Sequence, residues 1–436
     1  MKKILFFLIS TCFSFSIIAE PAAAPNNTAP AEKTAPAASV SMPAVPTLAP
    51  PVASPTPNTS TPQPTLNKPV PTLGASKSAP AIIPVPPMIE ANGYVLMDAD
   101  SGYVIAEKNQ HTIMAPASLT KLMTMYVAST ALKEGRIHLT DNVPVSETAW
   151  RTGGSRMFIK LGSQVPLQDL INGIVIASGN DASVAMSEFI AGSENAFVDL
   201  MNKVAVQLGM KNTHYADATG LPDPKNYTTP YDLSILTRAI IYHHPEDYKW
   251  YSQKWMTYNN IKQPNRNLLL FRDPSVDGLK TGHTDDAGYC LVASAKRNDM
   301  RLIAIIMGSS STKQRATDAQ ALLNYGFRFF ETHQLYAADT ALSTQRIWFG
   351  QEKNAALGLA QNMYVTIPIG QYEKLKASVS VTPSIKAPIK KGQAYGQVRV
   401  TLNNTLISTA PLVALADNPL AGFFSRMWDY VRMWVA

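Results

Sequence analysis

Between Glu20 and Pro87 the chain is built mainly of Pro, Ala, Thr and Ser, and this segment holds more than half of its 32 prolines. No apolar periodicity runs through it, so it cannot bury a core, and whatever globular fold the chain adopts must be made from about Ile89 onward. As a flexible coil the segment would span about 45 Å, and as stiff polyproline up to about 200 Å, which makes it a tether with reach. Before it, residues 1–19 have the form of a secretory signal peptide. Lys2 and Lys3 precede an apolar run from Ile4 to Ile18, interrupted by serines and a threonine and followed by Ala19 as a small residue for cleavage. The run is too short and too interrupted for a membrane-spanning helix. Once the signal is removed Cys290 is the only cysteine, so no internal disulfide can form, and its apolar surroundings mark it as a packing residue.

The formal net charge of +7 is modest for 436 residues and does not point to nucleic acid. From Thr340 onward Lys and Arg outnumber the acids, which suits an anionic membrane or cell-wall polymer.

Patterning divides the remainder. Tyr94–Met97 and Tyr103–Glu107 flank a turn and read as a hairpin. From Ser118 to Leu132 the apolar spacing predicts a buried helix, started by Pro116 and stopped near Gly135. Further helices are predicted at Leu167–Ile176, Ala182–Ile190, Glu194–Leu208, Thr229–His243 and Gln314–Phe330, and apolar strands at Gly288–Ala295 and Met300–Met307. After about Thr340, short alternating segments (Tyr364–Ile367, Ser378–Val381, Gln397–Thr401) read as a small all-β domain. The tail Leu420–Ala436 forms an amphipathic helix, with Ser425, Arg426, Asp429 and Arg432 to one side and aromatic and aliphatic residues over the rest. Following the break at Asn418-Pro419 it is expected to have no domain to pack on and to lie on a bilayer.

Three short motifs in a fixed order bear the chemistry. Ser118-Leu119-Thr120-Lys121 puts a hydroxyl and an amine on one face of a helix, where the amine can serve as base if burial or a second cation lowers its pKa. Ser118 also falls in the first turn, where free backbone N–H groups favour an oxyanion. Ser178-Gly179-Asn180 lies in a break between helical stretches. Lys280-Thr281-Gly282 follows an extended segment, its Lys and Thr offering a cation and a hydroxyl to a carboxylate while Gly282 lets a substrate backbone lie against the strand. Each triplet alone is weak; the ordered set is shared by penicillin-binding proteins and class A β-lactamases. His243-His244 has no third ligand at suitable spacing, and no metal or cofactor is indicated.

Beyond those motifs, the segments Thr152-Gly153-Gly154-Ser155, Ser178 to Ala182, Asp277 to Thr284 and Tyr325 to Thr332 resemble those of the low-molecular-mass penicillin-binding proteins that are serine-type D-alanyl-D-alanine carboxypeptidases. The resemblance runs from about Ile89 to the C-terminus and does not cover the Pro-rich tether. It implies an α+β fold: a serine β-lactamase/DD-peptidase-like domain with an antiparallel sheet, then a small all-β domain and the amphipathic helix. The expected boundaries are 1–19 signal peptide, 20–87 tether, 88–335 catalytic domain, 336–417 β domain and 418–436 membrane-anchor helix.

It also implies roles. Ser118 attacks the carbonyl between two terminal D-alanines of a peptidoglycan stem peptide, Lys121 takes its proton, and Ser178 relays a proton to the leaving D-alanine. Asn180 orients the substrate amide and Lys121, Lys280 lowers the Lys121 pKa by like-charge repulsion, and Thr281 binds the carboxylate. The N–H groups of Ser118 and His283 form the oxyanion hole, Arg315 matches an arginine near the carboxylate site, and Thr152–Ser155 resembles a loop beside it. β-Lactam antibiotics would be covalent inhibitors, and the enzyme would sit in the periplasm on the outer face of the inner membrane. A class A β-lactamase would need a Glu-x-x-Leu-Asn pattern between Asn180 and Lys280, and none is present. A DD-endopeptidase shares all three motifs, and a wall-binding scaffold with a dead site is opposed by the six intact motif residues.

Overall fold

The computed structural model describes residues 83–435; the expected signal peptide and residues 20–82 of the tether lie outside them. Residues 83–92 carry no regular strand or helix, and the Pro84 carbonyl accepts a hydrogen bond from the Tyr325 hydroxyl at 2.9 Å. The fold then opens on an antiparallel hairpin of β1 (Gly93–Asp98) and β2 (Val104–Lys108). Asp98 holds its turn, one carboxylate oxygen accepting from the N–H and the hydroxyl of Ser101 at 2.8 Å each.

Four principal helices follow: α1 (Lys121–Lys133), α2 (Asn180–Ala191), α3 (Glu194–Leu208) and α4 (Pro230–His243). Side-chain caps start two of them. Ser193 Oγ accepts from the Ala196 N–H, and Thr229 Oγ1 accepts from the Asp232 N–H with Pro230 in the first helical position. Every residue of α1 from Lys121 to Ser129 is buried, so this helix is the axis of the helical half rather than an amphipathic cover. Its start differs from expectation: Ala117–Thr120 form a tighter 3-10 turn, entered with Ala117 at φ +48°. The helix expected over Leu167–Ile176 is likewise split, an α-helical turn ending at Asn172 and a wider π turn running over Gly173–Ala177.

The chain then returns to sheet in β3 (Val276–Thr284), β4 (Gly288–Arg297) and β5 (Met300–Ser309). Because β5 also pairs with β1, strands from before and after the helices close one antiparallel sheet in the order β2-β1-β5-β4-β3. Helix α5 (Thr312–Phe329) covers one face, where Leu322 and Leu323 meet Leu291, Ala293, Leu302 and Ile306, and α4 lies against the other. Burial on both faces explains why β4 and β5 read as continuous apolar runs rather than alternating ones.

The second unit comprises β6 (Phe330–Tyr336), β7 (Ala341–Arg346), β8 (Asn354–Gly358), β9 (Met363–Pro368), β10 (Leu375–Val381), β11 (Ala394–Leu402) and β12 (Thr405–Ala414). A five-stranded sheet in the order β7-β8-β12-β11-β10 and the pair β6-β9 enclose a core that includes Leu357, Ile367, Val398 and Val400. Strand β6 runs across residue 335, where the sequence places the end of the catalytic domain, and pairs with β9. Asp98 joins the two units. Its second oxygen accepts from the Thr332 hydroxyl at 2.8 Å, and Thr366 lies 2.6 Å from the Ser101 hydroxyl and 2.9 Å from that of Thr332.

The terminal helix α6 (Phe423–Val435) corrects the expectation that the tail has nothing to pack on. Asp429 is fully buried, accepting from the Phe349 N–H and from Lys353 Nζ at 2.9 Å each, while Lys353 also donates to Ser425 at 2.9 Å. The polar side is thus clasped to the β unit, and Phe424, Trp428, Val431 and Trp434 are left exposed. No helix of the described residues is long and apolar enough to cross a membrane. Leu302→Ala, which empties a fully buried position between β5 and α5, is expected to cost about 2–5 kcal/mol, measured by chemical denaturation.

Candidate active site

The three motifs meet at the start of α1. A spacing of three residues puts Ser118, in the 3-10 turn, and Lys121, first in α1, on one side, with Lys121 Nζ 3.1 Å from Ser118 Oγ. Lys121 is buried, and its amine also donates to Asn180 Oδ1 at 2.6 Å and to the Thr219 carbonyl at 2.5 Å. Asn180 opens α2 and is held from the other side, its Nδ2 donating to the Gly153 carbonyl and its N–H to the Ser155 carbonyl, both at 2.7 Å. The loop Thr152–Ser155 therefore positions Asn180 directly.

Ser178 ends the π turn in the left-handed region at φ +61°, a conformation that disfavours any residue with a Cβ and that recurs at functional sites. Its hydroxyl accepts from Lys280 Nζ at 2.8 Å, and Lys280 also donates to the Thr281 carbonyl at 2.8 Å. Both Lys280 and Thr281 are buried in β3. Gly282 decides how closely that strand can approach, because a Cβ built there would lie 3.1 Å from the Pro116 carbonyl and 3.3 Å from the Ser118 nitrogen. His283 is exposed, its ring 4.1 Å from that of Tyr289. Arg315, from α5, is buried under the strand, donating to the carbonyls of Gly282 at 2.8 Å and Cys290 at 3.2 Å. Its hydrogen bonds clamp β3 to β4.

Electrostatics follow from burial. The Lys121 ammonium is lowered to about 7, first by desolvation, with Asp217 and Asp181 opposing the shift and Arg266 adding to it. Lys280 is also pushed well below the ordinary lysine value, again chiefly by burial and then by the charges of Lys121, Arg266 and Arg315. Desolvation is the larger cause for both; the like-charge repulsion expected from the sequence is felt by Lys280 from Lys121, whereas the cation that lowers Lys121 is Arg266 and not Lys280.

Three contributors carry no motif. The Thr219 carbonyl is a backbone atom, available on any residue. Asp217 shapes the turn that presents it, and Arg266 reaches Ser155 Oγ at 2.6 Å from an Asn-Arg-Asn segment that looks like an ordinary surface loop. Outside the site, His243 pairs with the Tyr126 hydroxyl at 2.8 Å and His244 with Thr130 at 3.2 Å, so both serve packing of α4 on α1. Cys290 is buried and its thiol is pushed up to about 11 by desolvation, the behaviour of a packing residue.

A hydroxyl beside a buried amine, with a second lysine across a bridging serine, is the arrangement that serine acyl transfer requires. Residues 80–311 match the family model for D-alanyl-D-alanine carboxypeptidase, and residues 330–419 match that for the penicillin-binding protein 5 C-terminal domain. The chain belongs to the D-alanyl-D-alanine carboxypeptidase family. Over 355 residues it is 44% identical to D-alanyl-D-alanine carboxypeptidase DacC of Escherichia coli (strain K12), covering 80% of this chain and 89% of that protein. It is 43% identical over 360 residues to DacA of the same organism, covering 81% and 89%. Among solved structures, penicillin binding protein 5 from Haemophilus influenzae superposes with a TM-score of 0.74 at 43% identity, covering 77% of this chain and 99% of that one. As in that family, the described residues combine a helical and antiparallel-sheet catalytic unit with an all-β unit and a terminal helix.

For this carboxypeptidase Gly282→Ala is a sensitive probe, since the added methyl presses on the turn carrying Ser118. It is expected to leave circular dichroism unchanged and to slow labelling by a fluorescent penicillin by about 10-fold to 100-fold, the scale of a small misplacement of reacting groups.

Proposed function

We propose that this serine-type D-alanyl-D-alanine carboxypeptidase uses Ser118 as its nucleophile and Lys121 as the base that activates it. The observation that carries the reading is the buried Lys121 amine, 3.1 Å from the Ser118 hydroxyl and lowered to about 7. An ordinary ammonium could not accept the serine proton at neutral pH, whereas an amine of this basicity is substantially deprotonated there.

Ser118 Oγ attacks the carbonyl between the two terminal D-alanines of a peptidoglycan stem pentapeptide, and its proton passes to Lys121 Nζ. The oxyanion lies on the N–H groups of Ser118 and His283. Support for that placement comes from Gly282, which allows β3 to approach the Ser118 nitrogen. The C–N bond then breaks, Ser178 relays a proton to the leaving nitrogen, and D-alanine departs. Asn180, 2.6 Å from Lys121 Nζ, keeps that amine oriented and offers its amide to the substrate. Lys280 and Thr281 take the terminal carboxylate, with Arg315 behind them. An anion arriving beside the desolvated Lys280 favours its protonated form. Water attacks the ester on Ser118 and frees the shortened stem. A β-lactam acylates the same oxygen.

Ser118→Ala is expected to abolish D-alanine release from a peptide ending in D-Ala-D-Ala while the protein remains folded. The rate of acylation is expected to fall about tenfold per pH unit below about 7, because the depressed Lys121 pKa makes the neutral base available above that pH and the inert ammonium prevail below it. Stopped-flow acylation across neutrality measures this, and a rate constant flat through that range would remove Lys121 as the base.

The domain roles belong to the same proposal: the unit before β6 catalyses, the all-β unit that begins with β6 follows it, and residues 418–436 anchor the enzyme to the outer face of the inner membrane, after export directed by the signal peptide and with the tether in the periplasm. Support for the anchor is the outward row of Phe424, Trp428, Val431 and Trp434, with Trp434 93% exposed, on a helix whose polar side is fastened inward by Asp429. A chain ending at Pro419 is expected to stay in the supernatant when sedimented with membranes that retain the full chain; equal retention would remove the helix as anchor.

A further inference from the structure

Lys121 makes its third hydrogen bond to a backbone carbonyl, and that carbonyl belongs to a turn with no motif of its own. We propose that Asp217 is a positioning residue for the reaction, a carboxylate that folds residues 217–220 so that the Thr219 carbonyl stays on the Lys121 amine, and that brings a negative charge to the same place. The inference rests on Lys121 acting as the base.

The hydrogen bonding of the turn supports this. One Asp217 oxygen accepts from the Thr219 N–H, the Thr219 hydroxyl and the Gly220 N–H, each at 2.6 Å. The other accepts from Asn226 Nδ2 at 3.1 Å. Ala218 is fixed independently, its N–H donating to Glu194 of α3 at 3.0 Å and its carbonyl accepting from Thr124 of α1 at 2.7 Å. What remains free to point into the site is the Thr219 carbonyl, which meets Lys121 Nζ at 2.5 Å. An Asp that gathers successive N–H groups in this way is a strong local organiser of a tight turn.

The same turn touches the nucleophile. Gly220 adopts φ +81°, and a Cβ there would lie 1.8 Å from the Ala117 carbonyl, so the turn is packed against the backbone immediately before Ser118. Loosening it would disturb both reacting groups.

Charge gives the turn a second effect. The groups whose charge bears on Lys121 are Asp217, Asp181 and Arg266, with Lys280 across Ser178; Asp217 itself has Glu194 and Lys121 as charged neighbours and Thr219 and Asn226 as neutral ones. Burial drives Lys121 down, and Asp217 is the largest influence opposing it. Without that opposition the amine would lose its proton at lower pH and be a weaker base.

Asp217→Asn separates charge from shape. The amide oxygen can still receive the three donors, and Asn226, whose own side-chain oxygen has no hydrogen-bond partner, can turn to receive the new NH2. The test is the pH dependence of acylation by benzylpenicillin in the full chain, with thermal melting as a check of folding. The acid limb of Asp217→Asn is expected about one pH unit below that of the unsubstituted enzyme, the scale of one nearby opposite charge, with a lower rate on the plateau. Asp217→Ala, which loses the turn as well, is expected to lower the plateau by a further tenfold or about that. A folded Asp217→Asn enzyme with an unmoved acid limb overturns the inference while leaving Lys121 as base. Absence of any acid limb in the unsubstituted enzyme removes the base reading, and this inference with it.

Discussion

Lys121 carries its amine into a place where water does not reach it, and all three of its hydrogen bonds go to neutral oxygens. Moving a lysine from its ordinary value to about 7 corresponds to about 5 kcal/mol of preference for the uncharged form. Keeping such a group buried requires walls that do not yield. The walls here are α1 itself, buried on every side over its first nine residues. Each fully buried side chain the size of Leu or Met contributes about 1.5–3 kcal/mol, so Leu122, Met123 and Met125, buried in the same helix, offset the demand the amine makes. On the proposed mechanism, reactivity in this protein is a consequence of where this buried helix begins.

From that constraint the other elements take their places. The sheet's edge strand β3 runs close enough to bring Lys280 and Thr281 to the site, an approach that Gly282 eases because a Cβ there would press on the backbone of Pro116 and Ser118. Arg315 holds that strand to its neighbour by hydrogen bonds to two carbonyls, so α5 acts on the site through the sheet it covers. Ser178 joins the halves, in the strained turn at the head of α2 and against a lysine from the sheet. Farther out, Asp98 couples the sheet to the β unit through three hydroxyls, and Asp429 couples the β unit to the terminal helix. Two buried carboxylates therefore set how the outward apolar row on α6 is oriented relative to the cleft.

Much of this was legible in the sequence wherever a local rule decides the outcome. Helix α3 matches its expected span, Glu194–Leu208, because Ser193 supplies a cap and Gly209 a stop. Ser118 and Lys121 share a face because three residues are close to one helical turn. The 3-10 turn at Ala117–Thr120 was not legible, since it differs from an α-helical start by one residue in the reach of each hydrogen bond and depends on how β3 and the 217–220 turn press on it. Neither was the part played by Thr219, whose contribution is a main-chain oxygen, nor Arg266, whose importance lies in charge felt through a buried site. The docking of α6 depends on the N–H of Phe349, 80 residues away in sequence, and no helical pattern can reveal such a partner.

The central claim, that Ser118 is the acylated oxygen, is tested most directly by incubating the protein with benzylpenicillin, digesting it and locating the added mass by tandem mass spectrometry. One penicilloyl group on Ser118 is the predicted result. An adduct on Ser178 or elsewhere, or a folded protein that gains no mass, would contradict the account.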